Sequence, residues 1–283
     1  MIVFKEAAKL TQYLHQIKQK GLSIGFAPTM GALHEGHISL IKKSNNLCDL
    51  TVNSIFVNPT QFNDPKDFEK YPITIGNDLL LLESAGCDVV FLPQIPAIYP
   101  DGLKMSCRYE LGEIEFILEG KFRPGHFQGV SQVVHRLLSI VQPNKLFMGQ
   151  KDYQQCMVVK QLVHHLQLPV EVITTETFRE PSGLAMSSRN LRLSEMEKKQ
   201  AAGISQMLSY IKANIHLLPF SVLESEAINH LLATGFNKVD YVAIADGDTL
   251  QPLTAFIPGR KIVVLIAATI GEIRLIDNTV IEE

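Results

Sequence analysis

Short β-branched runs alternate with longer amphipathic stretches over the first two thirds of the chain, and this alternation narrows the fold more than any other feature. LSIGFAP, LTVNSIFVN, DVVFLP, KLFMG and VEVITTET read as buried strands. Between them, HISLIKKSNNL, IGNDLLLLESAG, GVSQVVHRLLSIVQ and DYQQCMVVKQLVHHLQ carry apolar residues at helical period. Repeated strand-then-helix order implies βαβ units, hence an α/β fold: a Rossmann-like parallel sheet with helices on both faces. Such sheets bind ligands at the carboxyl ends of their strands. The aperiodic segments of this sequence fall there.

After about Thr177 the pattern changes. LSEMEKKQAAGISQMLSYIKANI has Ser194 and Glu197 at capping-box spacing, then apolar positions at helical period; Ser221 and Glu224 repeat the signature ahead of LESEAINHLLAT. VDYVAIAD, RKIVVLIAAT and IRLID then read as strands, RKIVVLIAAT as a core strand in preference to a partner-facing one. The expected division is a Rossmann-like domain over residues 1–177 and a smaller α+β domain over residues 178–283.

Bulk properties exclude several classes. The chain has 283 residues, 46% of them hydrophobic and 19% charged, as expected of a soluble globular protein with a sizeable core. A net charge of −3 provides no global field to recruit nucleic acid or an anionic membrane. No run approaches the roughly 18 consecutive apolar residues of a membrane span. The N-terminal MIVFKEAAKLTQYLHQIKQKG carries charges throughout and does not read as a signal peptide. Cys48, Cys87, Cys107 and Cys156 are scattered and form no CxxC pair, which points to reduced thiols in a cytoplasmic compartment and against a cysteine zinc site.

Five aperiodic segments carry candidate chemistry. The first is HEGH, within FAPTMGALHEGHISL. A zinc-protease helix places its histidines four apart, whereas His34 and His37 are three apart with Gly36 between them and no recognisable third ligand. FAP ends a strand and HISLIKK starts a helix, so both imidazoles project from a helix N-terminus, which favours phosphate. There they would act as donors to phosphate oxygens; the plainer alternative is a pair of ordinary loop histidines. Neither a Walker-type phosphate loop nor a GxGxxG fingerprint occurs, which tells against P-loop kinases and nicotinamide dehydrogenases.

FVNPTQF places Asn58 and Gln61 at a strand's carboxyl end, where amides suit a small hydroxylated carboxylate; a polar turn is the alternative. In MGQKDYQQ, Gly149 permits close backbone approach and Lys151 offers a mobile point charge, while Asp152 and Gln155 also have helix-capping spacing. REPSGLAMSSRN offers the hydroxyls of Ser187 and Ser188 with the Arg189 guanidinium, a phosphate-binding set that is equally consistent with a flexible surface loop. EGKFRPGHFQGV, with Arg123 and His126 among three glycines and a proline, reads as a mobile flap in preference to a plain linker.

PTMGALHEGH, FVNPTQF, GHFQGV, GQKDYQQ and REPSGLAMSSRN, in that order, resemble the pantoate–β-alanine ligase family of the HxGH nucleotidyltransferase superfamily. HEGH looks like the HIGH signature of those enzymes and MSSR like their KMSKS loop. The resemblance implies an AMP-forming ligase that condenses pantoate with β-alanine through pantoyl adenylate, with ATP as co-substrate and Mg2+ held mainly through the phosphates. It assigns Met30, Gly31, Ala32, Leu33, His34, Glu35, Gly36 and His37 to the ATP site, with His37 acting on the phosphates. Gly149, Gln150, Lys151 and Asp152 would contact the nucleotide, Phe178 would lie at the adenine side, and Met186, Ser187, Ser188 and Arg189 would close over the triphosphate. His34, Lys151 and Arg189 join His37 as catalytic candidates. Gln61 and Gln155, with Asn58 and Arg123, would hold pantoate. No residue stands out as a magnesium ligand, Asp78 and Asp152 being weak candidates. The family implies a homodimer. Two rivals stand beside it: another HxGH nucleotidyltransferase acting on a phosphorylated substrate, and a non-catalytic nucleotide-binding scaffold.

Overall fold

In a computed structural model of the chain, described over residues 1–63, 65–104 and 108–282, the strand–helix alternation becomes a six-stranded sheet. Its strands are β1 (Ile2–Phe4), β2 (Ile24–Thr29), β3 (Leu50–Ile55), β4 (Val89–Phe91), β5 (Lys145–Gly149) and β6 (Glu171–Thr175), in the order β1-β4-β3-β2-β5-β6. Every pairing is parallel. The helices along this stretch are α1 (Ala7–Gln19), α2 (Glu35–Leu47), α3 (Pro65–Glu69), α4 (Ile75–Ser84), α5 (Ile95–Ile98), α6 (Glu119–Phe122), α7 (His126–Val141) and α8 (Tyr153–His165).

Side chains alternate across the sheet. Phe26, Val52, Phe91 and Leu146 pack under Leu10 and Leu14 of α1 and Val134 and Leu137 of α7. Ala27, Ile55, Val90 and Phe147 face Leu40 and Ile41 of α2 and Leu82 of α4. With both faces covered, β3 is buried at all of its positions, which is why it reads as an unbroken run. Strand β1 went unread in the sequence: it has three residues at a sheet edge, with Ile2 and Val3 exposed.

The chain divides into two units, Met1–Gly149 with Gln155–Glu176, and Gln150–Gln154 with Thr177–Glu283. In the second, β7 (Lys238–Asp246), β8 (Ile262–Ile270) and β9 (Ile273–Ile281) form an antiparallel sheet in the order β7-β8-β9. Helices α9 (Glu195–Ala201), α10 (Gly203–Asn214) and α11 (Phe220–Ala233) accompany it, and Ile204, Leu208, Leu223 and Leu231 join Ile244, Val264 and Ile266 in one core. The apolar part of RKIVVLIAAT forms the central strand β8, buried except at Thr269, in line with the core reading, while Arg260 and Lys261 precede the strand and are not buried.

The capping box at Ser194 forms: its amide donates to Glu197 Oε2 at 2.8 Å, and its Oγ accepts from the Glu197 amide at 3.3 Å. The one expected at Ser221 does not. Pro219 is the N-cap of α11, with φ −57°, so Ser221 already lies inside the first turn. Glu224 instead accepts from the Ile244 amide of edge strand β7 at 2.9 Å, and burial pushes its pKa up. No helix among the described residues is long and apolar enough to cross a membrane. Cys48, Cys87 and Cys156 are free thiols, with burial pushing Cys87 up to about 12, while Cys107 lies outside the described residues.

Candidate active site

The turn from β2 into α2 carries the histidines. It passes through Gly31 at φ +83° and Ala32 at φ +48°. An alanine in the left-handed region costs roughly 1 kcal/mol, so something must hold it. Asp78 of α4 does, fully buried. Its Oδ2 accepts from the Ala32 amide at 3.0 Å, and its Oδ1 from the Leu33 amide at 2.8 Å and the Thr74 hydroxyl at 3.0 Å. Both carboxylate oxygens are thus engaged by the protein, which accounts for Asp78 without a metal.

Helix α2 begins at Glu35 rather than at His37, because His34 takes the extended N-cap conformation (φ −143°, ψ 173°). Both histidines therefore sit on one turn, their ring centroids 4.0 Å apart. The His34 amide points at His37 Nδ1 from 3.4 Å. A ring accepting at Nδ1 carries its neutral-state proton on Nε2, an assignment inferred from this bond. His37 thereby presents a donor at its far nitrogen. Among the described residues no three His, Cys, Asp or Glu side chains are grouped so as to hold a metal ion.

Beyond β3, Pro59–Gln61 forms a 3-10 turn. Asn58, 1% exposed, is consumed internally: its Oδ1 accepts from Tyr99 Oη at 2.8 Å, while its Nδ2 reaches Thr60 Oγ1 at 3.0 Å and Gln61 Oε1 at 3.3 Å. Asn58 thus acts on Gln61. The Gln61 Nε2 meets Met30 Sδ at 2.7 Å, which ties this amide to the histidine turn.

The RPGHFQGV segment is not a flap. His126 opens α7 after Gly125 at φ +80°, and residues 126 to 134 of that helix are buried. Two features lock it against the Asn58–Gln61 loop. His126 Nδ1 donates to the Gln61 carbonyl at 2.8 Å, with Arg123 Nη2 donating to the same oxygen at 3.2 Å. Gly129 lets the chain press on the helix: a Cβ there would fall 2.1 Å from the Thr60 carbonyl oxygen. The glycines that suggested mobility in the sequence serve close packing. Arg123, expected on substrate, has its guanidinium on Gln61 and His126, at 3.1 Å from His126 Nε2.

Gly149 ends β5, the strand beside β2, and Gln155 lies half-buried in the first turn of α8. In the second unit, Gln150–Asp152 forms a 3-10 turn in which Lys151 Nζ lies 3.3 Å from the Asp152 carboxylate. REPSGLAMSSRN is a pinned hairpin rather than a flexible loop. Glu180 donates to the Leu184 carbonyl (2.8 Å), Met186 to that of Phe178 (3.0 Å), and Asn190 Nδ2 bonds Glu180 and Ala185 (3.1 Å each). Ser187 caps the 3-10 turn Ser188–Arg192. Phe178 is 43% exposed, with its carbonyl taken by Met186.

Sequence reading missed the groups that hold these turns: Asp78 as a turn clamp, Gly129 as a contact point, and Arg179, Asp277 and Asn278. The last pair carried a faint signal, an Asp-Asn step in the otherwise apolar IRLIDNTVI strand.

A Rossmann-like parallel sheet with paired histidines on the turn after β2 and amides at the next strand end defines an α/β enzyme of the HxGH nucleotidyltransferase kind. A family model described as pantoate-beta-alanine ligase matches residues 2–280. A pantothenate synthetase of Cytophaga hutchinsonii is 45% identical over 283 residues, covering 99% of both chains. The crystal structure of pantothenate synthetase from Thermus thermophilus superposes with a TM-score of 0.90 at 37% identity, covering 99% of each chain. That of the Francisella tularensis pantoate-beta-alanine ligase, complexed with beta-gamma ATP and beta-alanine, gives 0.83 at 41% identity over 99% of this chain and 97% of that one. The chain belongs to the pantoate–β-alanine ligase family, and its activity is the family's ligation of pantoate to β-alanine.

Proposed function

We propose that the ligation runs through pantoyl adenylate with ATP as co-substrate, as the ligands of the Francisella tularensis relative support. A pantoate carboxylate oxygen attacks the α-phosphorus, an O–P bond forms, and the bond to the β-phosphate breaks to release pyrophosphate. The β-alanine amine then attacks the acyl carbon, losing a proton as the C–N bond forms and AMP departs. Activation as an acyl phosphate supplies a leaving group, so the protein's work is positioning and charge stabilisation.

The observation that carries this reading is the contact of Gln61 with Met30. It puts an amide suited to a hydroxy acid beside a histidine turn suited to phosphate. The turn from Met30 to His37 takes the ATP phosphates, with His37 Nε2 donating to the departing pyrophosphate. Gln61 and Gln155 hold pantoate, while Asn58 and Arg123 serve it through Gln61. Lys151 and Arg189 supply phosphate charge, with Gly149, Gln150, Asp152, Phe178, Met186, Ser187 and Ser188 on the nucleotide. Magnesium enters as counter-ion of the triphosphate, in keeping with the engagement of Asp78 by the turn. The protein acts in the cytoplasm as a homodimer, the latter checked by sedimentation.

Incubation with ATP, pantoate and β-alanine tests the reaction. AMP and pantothenate form only when both acids are present. An adenylylated product accumulating without any amine requirement would return the chain to the broader nucleotidyltransferase class.

A further inference from the structure

We propose that Asn278 is a positioning residue for Lys151, reaching it from the last strand of the second unit. Asn278 is 2% exposed and lies on β9, opposite Leu265 of central strand β8. Its Nδ2 donates to the Gln150 carbonyl and to the Lys151 carbonyl, each at 2.9 Å. Its Oδ1 accepts from Gln150 Nε2 at 3.3 Å. The whole side-chain amide is therefore used on one turn.

The two carbonyls have a particular relation to Lys151. The Gln150 carbonyl belongs to the peptide plane before the Lys151 Cα, and the Lys151 carbonyl to the plane after it. Rotation of those two planes is what φ and ψ of Lys151 describe. One amide thus fixes both backbone dihedrals of a single residue, and with them the direction in which its Cβ leaves the chain. Lys151 has a long flexible stem, so the position of its ammonium depends on where that stem starts.

An ion pair between the buried Asp277 and the half-buried Arg179 holds Asn278 in turn. Its amide donates to Asp277 Oδ1 at 2.8 Å, and its carbonyl accepts from Arg179 Nη2 at 3.4 Å. Arg179 grips both Asp277 oxygens, with Nη2 to Oδ1 at 3.0 Å, and also donates to the Gly183 carbonyl at 3.1 Å. Burial pushes the Asp277 carboxyl up and Arg179 pulls it back. Arg179 is bridged to Ala185 in the hairpin that leads into Met186–Arg189. The second unit thereby links two of its turns through one hydrogen-bonded cluster centred on the buried Asp277 and Asn278.

This role rests on the reading of Lys151 as a phosphate-binding residue, and the experiment separates the two. Asn278→Asp keeps the shape and removes both donors; Asn278→Ser is smaller and serves if the aspartate variant does not fold. Each is measured for kcat and for KM of ATP and β-alanine, alone and with Lys151→Ala. The expected result is a loss of about 10- to 100-fold in kcat/KM for ATP, the scale of a misplaced group. KM for β-alanine moves less than about threefold, and no further loss appears when Lys151→Ala is already present. A normal Asn278 variant beside a deficient Lys151→Ala overturns the positioning role alone, as does a loss that persists undiminished in the Lys151→Ala background. Wild-type kinetics for Lys151→Ala overturns both readings.

Discussion

His126 Nδ1 donates to the main-chain carbonyl of Gln61 across 2.8 Å, although the two residues lie 65 positions apart in the chain. That bond, shared with Arg123, holds the turn from which Gln61 projects, so under the proposed role of Gln61 a histidine far from HEGH bears on pantoate binding. In His126→Ala the carbonyl keeps only the Arg123 donor. Loss of a buried hydrogen-bond partner costs on the order of 1–3 kcal/mol. The expected outcome is a rise of about tenfold in KM for pantoate with little change for ATP, read from steady-state kinetics. An unchanged pantoate KM would dismiss the role.

Gly129→Ala tests the packing side of the same arrangement. The added methyl meets the Thr60 carbonyl oxygen at 2.1 Å and the Gln61 Cα at 3.1 Å, backbone atoms that cannot rotate away. Overpacking of this kind costs about 1–3 kcal/mol, and here it also displaces the loop that carries Gln61. Gly76→Ala in α4 is the control, since its Cβ meets nothing within 4 Å. The melting temperature should fall, and pantoate binding weaken, only in the first variant; equal behaviour of the two would count against the contact.

Asp78→Asn separates a turn clamp from a metal ligand. An asparagine offers one acceptor oxygen where the turn presents the amides of Ala32 and Leu33 to two, so one amide would face an NH2 group. A stability loss of about 1–3 kcal/mol is expected, together with reduced turnover as Ala32 leaves its left-handed conformation. Thermal melts and kinetics across a magnesium titration check it. Restoration of activity by excess magnesium would make Asp78 a ligand after all.

Much of this architecture is legible in the residues, and the exceptions share a cause. The strands from β2 to β5 announce themselves because burial on both faces demands largely apolar runs, and the central β8 does so for the same reason, whereas β6, expected to be buried, is an edge strand exposed at Glu171 and half-buried at its other positions. The turns that carry HEGH, NPTQ and GQKD stand out because their residues break every period. What holds those turns is hidden. Asp78 sits in the middle of an ordinary helical stretch, Gly129 looks like a flexible position, and Asn278 is 127 residues from the carbonyl of Lys151 that it holds. Each acts through a long-range contact, and no local pattern encodes that. The Ser221–Glu224 spacing errs the other way: it is a correct local signal overridden when β7 offers Glu224 an amide.

His37→Ala addresses the step itself. With the His34 amide donating to Nδ1, the His37 ring carries its neutral-state proton on Nε2, and in the role proposed for it that group donates to phosphate oxygens as charge builds on the leaving pyrophosphate. Such a donor is worth little to bound ATP and much to the transition state, so its removal should act on kcat rather than on KM. Removing one preorganised donor of this type lowers turnover by about 10²-fold or more. The fold should persist, because the side chain is only half-buried and the α2 backbone bonds to the His34 carbonyl, at 2.8 and 3.1 Å, do not involve the ring. Single-turnover formation of pyrophosphate from ATP and pantoate, without β-alanine, isolates the adenylation step. A near-normal rate there, with only a raised KM for ATP, would reduce His37 to a binding residue.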